Sequence, residues 1–133
     1  MLNARAIPKV LKQALGESVQ SVLLLNEDGI SLGSVASEKL GAAPNYKNIA
    51  AICTHFYKGF SAHSETPFLA EKRNEMLVEC AQGSVLIRPL VQGKAFLCLV
   101  GEIGGEPGLL RAEAAALAAT LEPQMRSWAE AQG

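Results

Sequence analysis

Residues 76–102 read MLVECAQGSVLIRPLVQGKAFLCLVGE, three short apolar runs parted by Gln82-Gly83 and Gln92-Gly93. Each run is strand length and rich in Val, Ile, Leu, Phe and Cys, and each glycine pair suits a reversing backbone. The stretch therefore predicts a β-meander with strands over Glu75–Ala81, Val85–Leu90 and Ala95–Val100. Its ionisable side chains are Glu79, Arg88, Lys94, Glu102 and the thiols. They have no catalytic spacing, so the meander speaks of architecture and surface.

Working outward, Ile7, Val10, Leu11, Ala14 and Leu15 recur at the spacing of one helical face, and Gly16 is a stop signal. Val19–Asn26 reads as a strand that runs through Asp28-Gly29 into a returning strand over Ile30–Ser34. After a Gly-, Ala- and Ser-rich stretch, Asn45 is a good cap for a second helix carrying Ile49, Ile52, Cys53, Phe56 and Phe60. A polar loop over Ser61–Arg73 leads back to the meander. Beyond it, Leu110, Ala114, Leu117, Leu121, Met125 and Trp128 line one face of a third helix, which Pro123 is expected to bend or end.

Burial pattern then orders the sheet. The strands over Val19–Leu25 and Ala95–Val100 are apolar on both faces, as central strands covered above and below should be. The strand over Ile30–Ser34 is half polar, and that over Glu75–Ala81 carries Glu75 and Glu79 on the face of Leu77, so these two belong at the edges. With hairpin neighbours adjacent, the expectation is an α/β (α+β) sandwich. Its five-stranded antiparallel sheet has order 2-1-5-4-3, with one helix on one face and two on the other.

The chain has 133 residues, 49% of them apolar, which fits a single domain over 1–133 able to bury roughly 65 to 70% of its unfolded surface. A net charge of -1 supplies no basic footprint for nucleic acid. Cys53, Cys80 and Cys98 are odd in number and each sits in an apolar stretch, as thiols in a reducing compartment do. The start, MLNARAIPKVLKQAL, has no signal-peptide core, and no run approaches the ~20 apolar residues of a membrane span. No direct membrane insertion is expected.

The motifs that could carry chemistry are weak. Cys53-x-His55 with His63 downstream offers too few ligands for zinc. The same Cys53 and His55 fail as a nucleophile pair, because residues two apart on a helix point about 200° apart. Gly93-Lys94 resembles the end of a phosphate loop, yet Arg88 stands where the first glycine should be. Glu102 and Glu106 lack the alternating oxygen ligands of a calcium loop. No catalytic residue, cofactor or metal is expected, and Lys72-Arg73 reads as a solvated step.

Three phrases in order, VQSVLLLNEDG at 19–29, MLVECAQGSV at 76–85 and FLCLVGE at 96–102, with the final helix after them, resemble the roadblock/dynein light chain family. Within it they look most like the late endosomal/lysosomal adaptor branch, the scaffold subunits of the Ragulator complex. The resemblance implies a roadblock (profilin-like) fold and a non-enzymatic adaptor that pairs through its second helix and third strand. It places Asn48, Ala51, Ile52 and His55 of the helix, and Met76, Leu77, Val78 and Glu79 of the strand, in the dimer interface. The small, mixed-polarity face of that helix suits a flank packed partly on a partner helix.

The partners implied are a second roadblock-domain subunit, with a heterodimer favoured and a homodimer possible, Rag or Ras-like small GTPases, and other Ragulator subunits. The location implied is the cytoplasmic face of late endosomes or lysosomes, reached through a partner, in MAP kinase and mTOR signalling. His55 at the interface would add pH sensitivity. A proline at Val78 is expected to block edge pairing if the amide there faces the partner. The rival class is a small-ligand sensor of PAS or profilin-like architecture.

Overall fold

In the computed structural model, the described residues are 5–16, 19–37, 55, 75–80, 83–101 and 107–132. A short N-terminal helix, Ile7–Leu11, tightens into a 3-10 turn over Lys12–Ala14. Five strands follow: β1 (Val19–Asn26), β2 (Ser31–Ala36), β3 (Met76–Cys80), β4 (Gly83–Leu90) and β5 (Ala95–Gly101). A long C-terminal helix, Pro107–Gln132, closes the described chain. The sheet is antiparallel throughout and its order is β2-β1-β5-β4-β3, as the burial pattern predicts.

Side-chain alternation divides the core between the two sheet faces. Val22 and Leu24 of β1, Leu86 of β4, and Leu97 and Leu99 of β5 meet Ile7, Leu11 and Ala14 from the N-terminal segment. They also meet Leu110, Ala114, Leu117, Leu121 and Met125 from the C-terminal helix. Leu23, Leu25, Val85, Ile87, Phe96 and Cys98 point to the opposite face and are buried there. Both described helices thus cover one face. The predicted second helix lies outside the described residues, apart from His55, which is helical and exposed.

A bulge adjusts this alternation. Against β5, Val19 pairs with Gly101 and Ser21 with Val100, so Gln20 is an extra residue. Val19 thereby joins Val22 and Leu24 under the helices, although strict period-two alternation would send it the other way. Each side chain so buried contributes about 1.5–3 kcal/mol.

The β1–β2 turn is organised by a side chain. Asn26 Oδ1 accepts hydrogen bonds from the backbone N–H of Asp28 (2.9 Å) and of Ile30 (3.0 Å), while Gly29 adopts φ 84°. Asn26→Ala strands both donors at a solvent-exposed turn, where water replaces part of the loss. The expected cost is about 1 kcal/mol, read as a lower urea midpoint with an unchanged slope.

Three local features differ from the sequence expectation. Gly83 is not inside the turn but is the first residue of β4, paired with Cys80, so the β3–β4 connection falls one residue earlier. The second connection is a 3-10 turn, Val91–Gly93, with Gly93 at φ 86° and Leu90 paired to Ala95 across it. The C-terminal helix continues through Pro123 to Gln132. Leu121 and Met125, buried to either side of the proline, hold the helix on the sheet, while Pro123 and Ala119 face solvent. The carbonyl deprived of its N–H partner thus lies on the water side, and the Gln124 side chain donates to the neighbouring Thr120 carbonyl at 3.1 Å.

Candidate functional site at the open edge of β3

The sheet order leaves β2 and β3 at the edges, and the N-terminal helix packs over β2. Among the described residues, no strand pairs with the outer side of β3. Its five residues present an edge of about 17 Å. Such an edge is a template for main-chain hydrogen bonds from another chain.

Register determines which backbone groups face outward. Cys80 and Gly83 flank a two-residue connection and therefore form a hydrogen-bonded pair. Alternation then turns the N–H and C=O groups of Cys80, Val78 and Met76 toward β4, and those of Glu79 and Leu77 toward solvent. The amide of Val78 does not face a partner. A proline that blocks edge pairing belongs at Leu77 or Glu79.

The predicted site residues on this strand fall on two faces. Met76 and Val78 pack against the second-face core, whereas Leu77 packs against the helix-covered core. Glu79 shares the face of Leu77 and is exposed. Asn48, Ala51 and Ile52, the helix half of the predicted interface, lie outside the described residues.

One cluster on the same face has no counterpart in the sequence expectation. The register places Glu75 opposite Arg88 of β4, and Arg88 Nη1 donates to Glu75 Oε1. On the other carboxylate oxygen, Glu75 Oε2, Arg111 Nε of the C-terminal helix approaches to 3.7 Å. Glu75 is 15% exposed, Arg88 30% and Arg111 57%, so the network runs from a mostly buried carboxylate to a largely solvated guanidinium. It ties the start of the edge strand to both the sheet and the helix. The signal that would have revealed it is the hairpin register. If Gln82 and Gly83 are taken as the loop residues, Glu75 falls opposite Leu90 instead.

No group of His, Cys, Asp and Glu among the described residues has the arrangement of a metal site. No helix among them is long and apolar enough to cross a membrane. What this part of the molecule offers is backbone donors and acceptors, apolar flanks and a compact ionic cluster, which are means of association.

Comparison with solved structures agrees with that architecture. The chain superposes on MglB in a tetrameric arrangement with a TM-score of 0.75, covering 97% of this chain and 95% of that one at 19% identity. A roadblock/LC7 domain from Streptomyces avermitilis gives a TM-score of 0.70 at 17% identity, with 89% and 96% coverage. The fold is the roadblock fold. A gliding protein MglB from Thermus thermophilus matches similarly, with a TM-score of 0.73, 19% identity and 92% of each chain covered.

In sequence, the chain is 24% identical over 119 residues to an uncharacterized protein of Schizosaccharomyces pombe, spanning 82% of this chain and 73% of that protein. No protein-family model matches the chain. At these identities the shared property is the fold, and the roadblock architecture inferred from the strand phrases is the part that stands.

Proposed function

We propose that this chain is a non-catalytic roadblock scaffold that joins another roadblock domain through the edge of β3 and offers the composite surface to small GTPases. The observation that carries the reading is the position of β3. It is short, half-buried at Met76, Leu77 and Val78, and without a described neighbour on its outer side. The resemblance of residues 19–29, 76–85 and 96–102 to roadblock sequences supports the same use, as do the roadblock structures that share the fold. In this reading Asn48, Ala51, Ile52 and His55 flank the joint from the second helix.

In its most specific form the chain is the second late endosomal/lysosomal adaptor, MAPK and mTOR activator, of the Ragulator complex. It would then pair with a different roadblock subunit, dock Rag-type GTPases and reach the cytoplasmic face of late endosomes or lysosomes through a partner. The strand phrases support that form. A self-paired regulator of a Ras-like GTPase is the second form.

The test is binding of the assembled roadblock dimer to small GTPases, Rag-type and Ras-like, loaded with GDP or a GTP analogue, followed by sedimentation velocity. Co-sedimentation with one of them in a nucleotide-dependent manner is the expected outcome. Dimers that bind none of them would remove the GTPase from the function.

A further inference from the structure

Among the described residues, Val91 is the only one other than glycine with a positive φ, at 44°. A β-branched residue in the left-handed region is strained, because its Cβ crowds the following carbonyl. Such a conformation persists where the surroundings hold it. Val91 opens the 3-10 turn between β4 and β5, is partly buried against the helix-covered core, and belongs to a turn on which the C-terminal helix packs. The hydrogen bond across the turn, from the Lys94 N–H to the Val91 carbonyl, is long at 3.3 Å. Packing under the helix is therefore the stronger restraint.

Chain reach decides which part of the helix holds the turn. Five residues separate Gly101 at the end of β5 from Pro107 at the start of the helix, a connection of at most about 20 Å. β5 is itself about 20 Å long, so a connection that also climbs to the helix layer cannot regain the Ala95 end. The helix starts toward the Gly101 end and runs back along β5. At about 1.5 Å per residue it covers that distance in about 14 residues, which brings Leu121, Met125 and Trp128 beside the Val91–Gly93 turn.

Pro123 divides the helix at the same level. It has no N–H for the Ala119 carbonyl, so the ladder is interrupted and the part beyond can move without unwinding the part before. The two parts are anchored unequally. Leu110, Ala114, Leu117, Ala118 and Leu121 are buried ahead of the proline, where Arg111 also reaches Glu75. Beyond it, Met125 is buried and Trp128 partly so, while Gln124, Arg126, Ser127 and Glu130 face solvent.

We propose that residues 124–132 form a strap that lifts from the sheet as a unit about Pro123, with Val91 as a strained catch that relaxes when the strap leaves. Lifting exposes Met125, Trp128 and the core beneath them. It leaves the Glu75–Arg88–Arg111 cluster and the β3 edge in place, so the strap is a conformational device separate from edge joining.

The experiment is residue-resolved hydrogen exchange of the full chain as wild type, Pro123→Ala, Val91→Ala and Val91→Gly. Protection of the β5 amides reports in each case that the sheet is folded. In wild type, the amides of residues 124–132 should exchange as a block, at least about tenfold faster than those of Ala114–Leu121. Pro123→Ala restores the missing donor and should bring the two blocks together. Val91→Ala and Val91→Gly remove the same branched side chain, but only glycine accepts a positive φ without strain. Strain relieved on lifting favours the lifted state in the alanine variant, whose strap amides should exchange about fivefold faster than those of the glycine variant.

Strap amides that open only together with β5 would overturn the strap. Rates that rise gradually toward Gln132 and ignore Pro123→Ala would reduce it to fraying of a helix end, and would overturn it equally. Equal strap exchange in the alanine and glycine variants would show that Val91 keeps its conformation when the helix lifts, and would overturn its part as the catch.

Discussion

Leu77→Pro is expected to leave the chain folded and weaken its pairing with a roadblock partner at least tenfold, on the order of 1–3 kcal/mol for the main-chain hydrogen bonding lost at the joint. The Leu77 amide points away from β4, so a pyrrolidine ring there removes no intramolecular ladder bond. Proline is tolerated on an edge strand in that orientation. The ring occupies the space where an incoming carbonyl would sit. Val78→Pro, one residue along, is the control with the opposite phenotype. It removes an N–H that β4 uses opposite Val85 and should destabilise the monomer by roughly 1–3 kcal/mol. Circular dichroism with urea titration reads the fold, and sedimentation reads the pairing. If Leu77→Pro paired normally while folded, the joint would lie elsewhere on the molecule.

Gly33→Ala should destabilise the chain by about 1–3 kcal/mol, the usual cost of forcing extra volume into a packed core. A Cβ at Gly33 would stand 2.5 Å from Ile7 Cγ2 and 3.3 Å from Ile7 Cβ. Ile7 is buried, β-branched and stiff at χ1, and it sits in the first turn of the N-terminal helix, so it has no easy way to yield. The strain is expressed as displacement of that helix from β2. Ile7→Ala removes Cγ2 and with it the severest contact, at the cost of a cavity. In the double variant the two penalties should fall short of additivity by about 1 kcal/mol or more, measured as urea midpoints across a double-mutant cycle. Strict additivity would mean that the helix does not rest on Gly33.

The sheet order was legible because it depends on burial pattern and on the adjacency of hairpin neighbours. β1 carries apolar residues on both faces and β5 is apolar at nearly every position, so both are central, while the polar residues of β2 and the glutamates to either side of Leu77 mark edges. The C-terminal helix was equally plain, since Leu110, Ala114, Leu117, Leu121 and Met125 form one buried face. Its passage through Pro123 was not, because a proline's effect depends on which side of the helix loses the hydrogen bond. Here that side faces water.

The candidate site was half legible. Met76, Leu77, Val78 and Glu79 do form the edge, but the direction of each amide depends on a hairpin register that a one-residue difference in turn position reverses in consequence. The same difference hid the Glu75–Arg88 pair, and Arg111 joins it from a helix far along the chain. Periodicity reports which face a residue occupies. It does not report who stands beside it on that face.

The central claim is that this molecule works by pairing its β3 edge with another roadblock domain. Sedimentation equilibrium of the purified chain, alone and with a second roadblock subunit, over a range of concentrations and at two ionic strengths, tests it most directly. A dimer is expected in at least one of these preparations, weakened at least about tenfold by Leu77→Pro. A strictly monomeric chain that joins no roadblock partner under any of these conditions would contradict it.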